Sequence, residues 1–116
     1  MKSAIERECY KLIQMVAVKQ RPVCIWTGQP STVGHHLFKR DRLATAFLPA
    51  AVWGMSDSQH HWAHKHPSQW KDIVIHIIGF PEYARLRTLS WTVVENINFE
   101  EIRNNLKKML DKGKEV

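Results

Sequence analysis

The sequence predicts an α+β protein in which a small β-stranded unit is packed with several helices. Apolar residues recur at helical spacing over residues 3–19, and again after Pro67. Two short β-prone runs, Val23 to Trp26 and Val33 to Phe38, flank the turn-forming segment Thr27-Gly28-Gln29-Pro30-Ser31, a pattern typical of a β-hairpin. At 116 residues the chain is long enough for one domain and too short for two.

The other elements follow from helix caps and breakers. The first helix ends before Gln20-Arg21-Pro22. The apolar stretch 43–55 is interrupted by Pro49 and Gly54, so only one short helix and one short strand are predicted there. Later helices are predicted over about residues 57–65, from Pro67 to Ile78, from Pro81 to about Leu89, and after Asn98-Phe99-Glu100-Glu101. The chain thus divides into an N-terminal helix at 1–21, a core at 22–66 and a helical part at 67–116.

The charge balance favours an acidic partner. The net charge is +6 and the pI is near 9.6, which favours nucleic acid, although the basic residues are spread along much of the chain. There is no run of eighteen apolar residues and no signal peptide, so a cytoplasmic protein without a membrane partner is expected. Cys9 and Cys24 are too few for a disulfide scaffold or a four-cysteine zinc site.

Histidines carry the strongest chemical signal in the chain. His60 and His64 are four residues apart on a predicted helix, so their side chains share one face and can bind one metal ion. His35 and His36 lie at the end of a predicted strand, where adjacent side chains face opposite ways. One of this pair can therefore join His60 and His64 on the metal, while the other stays free for chemistry.

These histidines stand among motifs that resemble the HNH endonucleases, whose site is a ββα-metal unit. The run from Cys24 to Pro30 is similar to the Cys-Ile-x-Cys-Gly-x-Pro sequence of zinc-ribbon members of that family. The run from Met55 to His64 matches in length their Leu-Cys-x-x-Cys-His-x-x-x-His sequence. Thr27, Ser56 and Gln59 replace three of the four zinc-binding cysteines, so no second, structural zinc is expected.

The resemblance implies a metal-dependent DNA endonuclease that leaves 5′-phosphate and 3′-hydroxyl ends. His35, His60 and His64 would bind one divalent cation, and His36 would be the general base that takes a proton from the attacking water. Three imidazoles suit Zn²⁺, Ni²⁺ or Co²⁺ better than Mg²⁺, and Mn²⁺ is a further candidate. The family has an Asn about nine residues before His60, where this chain has Ala51, and in the family that Asn mainly ties down the loop rather than binding metal.

The basic residues next to the histidine pair are predicted to meet flanking phosphates. They are Lys39, Arg40 and Arg42, which could equally form a solvated turn.

Other interpretations remain open at the level of sequence. The chain could be a non-enzymatic DNA-binding module in which a metal only holds the fold, or a catalytically degenerate nuclease. His61 excludes the zinc-protease motif, which needs Glu at that position. Cys24 is interpreted as a small buried hydrophobic residue. The tryptophans are predicted to belong to the core rather than to base-stacking surfaces: Trp26, Trp53, Trp62, Trp70 and Trp91.

Overall fold

The computed structural model describes residues 2–112. Within this range the chain forms six α-helices, a 3-10 turn and a two-stranded antiparallel sheet, which confirms the predicted α+β class. No helix in the described range is long and apolar enough to cross a membrane. In chain order the elements are α1 (Ala4–Gln20), β1 (Val33–His36), α2 (Leu43–Ala46), the 3-10 turn (Pro49–Ala51), β2 (Val52–Met55), α3 (Asp57–Lys65), α4 (Pro67–Ile78), α5 (Phe80–Ser90) and α6 (Phe99–Asp111).

The predicted hairpin between residues 23–26 and 33–38 is wrong. Residues 23–26 form no strand. The turn that follows them is closed by an isolated bridge between Val23 and Pro30. Proline has no N–H group with which to continue a ladder, so pairing stops there. The true partner of β1 is β2, with Val33 opposite Met55 in an antiparallel register.

A pair of glycines brings helix α1 onto one face of this sheet. Gly34 stands opposite Gly54 in the register. A Cβ atom added at Gly54 would lie 2.6 Å from the carbonyl oxygen of Ala17, and one added at Gly34 would lie 2.9 Å from the Ala17 Cβ. Helix α1 therefore packs against the sheet backbone itself. The core on this side includes Cys9, Ile13, Val16, Ala46, Phe47, Val52 and Leu106.

The opposite face of the sheet packs against α3 and α4. Trp53 is buried there together with Ala63 of α3 and Trp70 of α4. His35 is the cross-strand partner of Trp53, so it shares this face. His36 is the cross-strand partner of Val52, which belongs to the core on the α1 side. The two adjacent histidines therefore lie on opposite faces of the sheet, as strand alternation requires.

Local capping places the histidine-bearing helix where the sequence predicts it. The Ser56 hydroxyl accepts a hydrogen bond from the Gln59 N–H and caps α3. His66 ends this helix, with its Nδ1 3.0 Å from the Trp62 carbonyl oxygen, and Pro67 then starts α4. The predicted bounds of α3 at 57–65 and of α4 from Pro67 to Ile78 are confirmed.

The loop that leads into β2 is tied down although Ala51 stands where the HNH endonucleases have an asparagine. Ala51 is buried, and its carbonyl oxygen accepts a hydrogen bond from the Leu37 N–H at 2.9 Å. The Trp53 indole N–H donates to the Ala50 carbonyl oxygen at 3.0 Å. Backbone and indole hydrogen bonds thus hold the end of the loop that a side-chain amide would otherwise secure.

Candidate metal centre

The structure brings His35, His60 and His64 together in one cluster. Each offers a ring nitrogen, and these three atoms all lie within 4.8 Å of one another. The Nε2 atoms of His60 and His64 are 3.0 Å apart, close to the roughly 3.3 Å between two nitrogens bound tetrahedrally to zinc at about 2.0–2.1 Å. The ring centroid of His35 lies 5.2 Å from that of His60 and 5.0 Å from that of His64. This cluster can hold a metal ion.

The chemistry of the donors fits a metal that prefers nitrogen. His35 is only 7 % exposed, and its buried Nδ1 has no hydrogen-bond partner within the described residues. A buried polar atom without a partner costs roughly 1–3 kcal/mol. The cluster has three members in the described part of the chain, and three protein ligands are the number that a catalytic zinc site has when it keeps one position for water or substrate.

Burial favours the neutral form of the His35 and His60 imidazoles, which is the form that can bind a metal. Desolvation, assisted by the neighbouring His60 and His64, lowers the pKa of His35 from 6.5 to about 3. Desolvation and the His64 charge also lower the pKa of His60. Because a protonated imidazole has no lone pair for a metal, these shifts would let the cluster bind a metal at lower pH than unshifted imidazoles could.

The same shifts predict how the metal-free protein responds to acid. Unfolded His35 takes up a proton near pH 6.5, while folded His35 resists protonation down to about pH 3, so the unfolded state binds more protons between these values. The free energy of unfolding should therefore fall as pH falls below about 6.5, by up to about 1.4 kcal/mol per pH unit for this one group. Urea unfolding in the presence of a chelator measures this pH dependence. The range from about pH 6.5 to pH 5 is used because most carboxylates titrate below it.

Two variants isolate the contribution of His35 to this pH dependence. H35F keeps an aromatic ring but cannot titrate, so its stability should depend less steeply on pH than that of the wild type. H76Q, at an exposed position of α4, is the control, because it also removes one imidazole but leaves the cluster intact, and the stability of H35F should depend less steeply on pH than that of H76Q. Equal slopes for H35F and the wild type would contradict a buried neutral His35.

His36 lies on the other face of the sheet and is oriented by the backbone. Its Nε2–H donates a hydrogen bond to the Ala46 carbonyl oxygen at 2.9 Å, which leaves Nδ1 as the basic nitrogen of the neutral ring. Desolvation by burial and the charge of Arg40 lower the pKa of His36, against the opposing effect of the Ala46 hydrogen bond. The ring is thus a neutral base at physiological pH.

One cleft joins the histidine cluster to His36. It has a volume of about 1010 Å³ and is lined by all four histidines. The cations along its walls are Lys11, Lys39, Arg40 and Lys71, and no aspartate or glutamate of the described chain lines it. A cleft with several cations and no carboxylates attracts anionic ligands.

The sequence prediction of phosphate-binding residues is only partly matched by this cleft. Lys39 and Arg40 line it, but Arg42 does not. The Arg42 guanidinium instead lies over the Trp91 ring, 3.5 Å from the centroid. Lys11 of α1 and Lys71 of α4 were not identified from the sequence, because each lies on a different helix and nothing in the local sequence indicates that these helices border the histidines.

A glutamine side chain fixes the strand that carries the two adjacent histidines. The side-chain amide of Gln14 donates to the Gly34 carbonyl oxygen at 2.9 Å and accepts from the Gly34 N–H at 2.6 Å. It thereby pairs with the strand backbone one residue before His35. Tyr10, one turn earlier on α1, donates its hydroxyl hydrogen bond to the Arg40 carbonyl oxygen at 2.6 Å. Both interactions position the cleft wall, and neither was found from the sequence.

The positions that resemble zinc-ribbon cysteines form a hydrogen-bonded polar cluster. The Thr27 hydroxyl donates to the Ser56 hydroxyl at 2.9 Å, and the latter also caps α3. Cys24 is buried beside them. Burial raises the pKa of its thiol, but hydrogen bonds with Ser56 and Thr27 outweigh burial and lower the pKa to about 6. Cys24 is therefore buried as predicted, yet its surroundings are polar rather than those of a simple hydrophobic residue.

Comparison with protein-family models, with curated proteins and with solved structures finds no match to this chain.

Proposed function

We propose that this protein is a metal-dependent endonuclease of the HNH type that hydrolyses phosphodiester bonds in DNA. The observation that carries the proposal is the shared cleft: the cluster of His35, His60 and His64 and the separate imidazole of His36 open into a space lined by four cations and no carboxylate of the described chain. The order of β1, β2 and α3, with the cluster drawn from β1 and α3, agrees with the ββα-metal unit that the sequence motifs resemble.

The residues divide into three roles in this mechanism. A divalent cation bound by His35, His60 and His64 would polarise the scissile phosphate and stabilise charge on the leaving oxygen. His36 takes a proton from the attacking water at Nδ1, since its Nε2–H is donated to Ala46. The cations on the cleft walls hold the flanking phosphates of the strand.

The structure favours an enzyme over a module in which metal only holds the fold. A structural zinc site is closed by four protein ligands, whereas this cluster has three in the described residues and borders an open cleft. Degeneration through loss of the family's asparagine is also disfavoured, since the loop end at Ala51 is held by the Leu37 N–H.

Cleavage assays across metals test the proposal. Plasmid and labelled duplex and single-stranded DNA are incubated with the protein and Zn²⁺, Ni²⁺, Co²⁺, Mn²⁺ or Mg²⁺, with EDTA and the H60A/H64A variant as controls. We expect metal-dependent nicking that EDTA and the double variant abolish. Binding of DNA without cleavage under any of these metals would instead support the non-enzymatic DNA-binding module.

The cationic cleft wall predicts the salt dependence of DNA binding. Changing Lys11, Lys39, Arg40 and Lys71 together to Gln should weaken duplex binding and reduce the slope of log K against log salt by up to about 3.6, at about 0.9 for each phosphate that the protein no longer neutralises. Fluorescence anisotropy in EDTA measures binding without cleavage. K108Q, which removes an exposed charge on α6, should reduce the slope by far less. A slope unchanged in the quadruple variant would place the DNA surface elsewhere.

A further inference from the structure

Helix α5 and the residue after it carry two aromatic rings that the core does not cover. Phe80 is 65 % exposed and Trp91 is 62 % exposed. The prediction that Trp91 belongs to the core is therefore wrong, whereas Trp53 and Trp70 are buried as predicted. Phe80 and Trp91 both line a second, smaller depression of about 370 Å³, together with Tyr83, Ala84, Arg87 and Thr88. We refer to these six residues as the aromatic shelf.

The shelf is positively charged. Arg87 lines it, and no carboxylate of the described chain does. The Arg42 guanidinium lies over the Trp91 ring at 3.5 Å from its centroid, and Trp91 nevertheless remains 62 % exposed. Glu82, the acidic residue on α5, is held by Arg85 through two hydrogen bonds of 2.9 and 2.7 Å. Its charge is therefore already compensated.

The shelf borders the histidine cleft at one shared residue. Tyr83 lines both depressions. Its ring also packs near Phe38, at 5.8 Å between centroids, and Phe38 lines the histidine cleft. Tyr83 is itself buried, so a strand whose phosphate reached the histidines would pass the edge of this residue to reach the exposed rings.

We infer that the aromatic shelf binds unpaired bases of a DNA strand whose phosphate lies in the histidine cleft. The inference rests on the proposed function and adds a substrate class, namely DNA with a single-stranded segment beside the scissile bond. Proteins bind single-stranded nucleic acid with exposed aromatic rings next to arginines, because every base has a face that can stack on a ring and every phosphate has a charge that can pair with an arginine. Paired bases in a duplex cannot offer that face.

Binding measured without metal tests the shelf separately from cleavage. Fluorescein-labelled oligo(dT) and a duplex of equal length are titrated with the full-length protein in EDTA, by anisotropy and by quenching of tryptophan fluorescence. We expect W91A and F80A each to weaken oligo(dT) binding by roughly 5- to 150-fold, the range that base stacking on one ring covers, with little change for the duplex. W91F should retain most of the affinity, and I25A, an exposed apolar residue on the Cys24–Gln29 turn, should retain all of it.

Three results would overturn the inference that the aromatic shelf binds unpaired bases. One is equal loss of single-stranded and duplex binding in W91A, and another is no loss of either. A third is sedimentation showing a dimer that W91A dissociates, because Val93 is 82 % exposed nearby in sequence and the surface would then pair with a second copy. The two proposals fail separately. If the wild type cleaves DNA but W91A binds oligo(dT) normally, only the inference about the aromatic shelf is wrong. If oligo(dT) binding depends on Trp91 but no metal supports cleavage, only the proposed nuclease activity is wrong.

Discussion

Replacing His36 with alanine should reduce the rate of DNA cleavage by roughly 10² to 10⁴, the usual contribution of a positioned general base, while metal affinity stays nearly unchanged. The reason lies in the sheet. His35 and His36 face opposite sides of β1, paired with Trp53 and Val52 respectively, and only His35 belongs to the cluster. Single-turnover cleavage and calorimetric metal titration on the same preparation measure the two effects.

The control for this variant lies on the neighbouring helix. His61 is exposed on α3 and is not a member of the cluster, so H61A should change neither cleavage nor metal affinity by a comparable factor. If H36A abolished metal binding while H35A did not, the two roles would have to be exchanged.

Replacing His64 with alanine should have its first effect on the metal. It removes one of the three imidazoles of the cluster, so metal affinity should fall by more than the roughly 10- to 100-fold that removal of an outer-shell hydrogen bond costs. Cleavage at low metal concentration should fall with it and recover in part as the metal concentration rises. The measurement is the cleavage rate across a metal titration, compared between H64A, H36A and the wild type.

The shape of that titration separates ligand from base. H36A should show a low maximal rate at an ordinary half-saturating metal concentration, and H64A a raised half-saturating concentration. The two rings of His60 and His64 lie close together, so H60A should behave like H64A. A normal metal titration for H64A would remove this residue from the site.

Elements set by local chemistry could be predicted from the sequence, and elements set by long-range pairing could not. Helix α3 has the predicted bounds because Ser56 caps it and Pro67 starts the next helix. The strand partner of β1 was missed because the turn-forming residues 27–31 indicate a hairpin locally. The observed strand pairing instead places Gly34 opposite Gly54, with α1 packed against both. The residues next to each glycine in the sequence do not indicate this contact.

The candidate site divides in the same way. The histidines that converge were identified by helical spacing and by the family resemblance, which together link positions distant in sequence. The exposure of Trp91 and the two hydrogen bonds between the Gln14 side chain and the Gly34 backbone were not identified from the sequence. Tryptophan is usually buried, and nothing near Gln14 in sequence shows that a strand edge lies beside it.

Zinc K-edge X-ray absorption on the zinc-loaded protein tests the metal centre most directly. The arrangement of His35, His60 and His64 predicts three imidazole nitrogens at about 2.0–2.1 Å, completed by a light oxygen ligand from water. H60A/H64A should lose this signature, and H36A and H61A should keep it. A wild-type spectrum with only oxygen ligands, or with the same histidine signal after both His60 and His64 are removed, would contradict the metal centre.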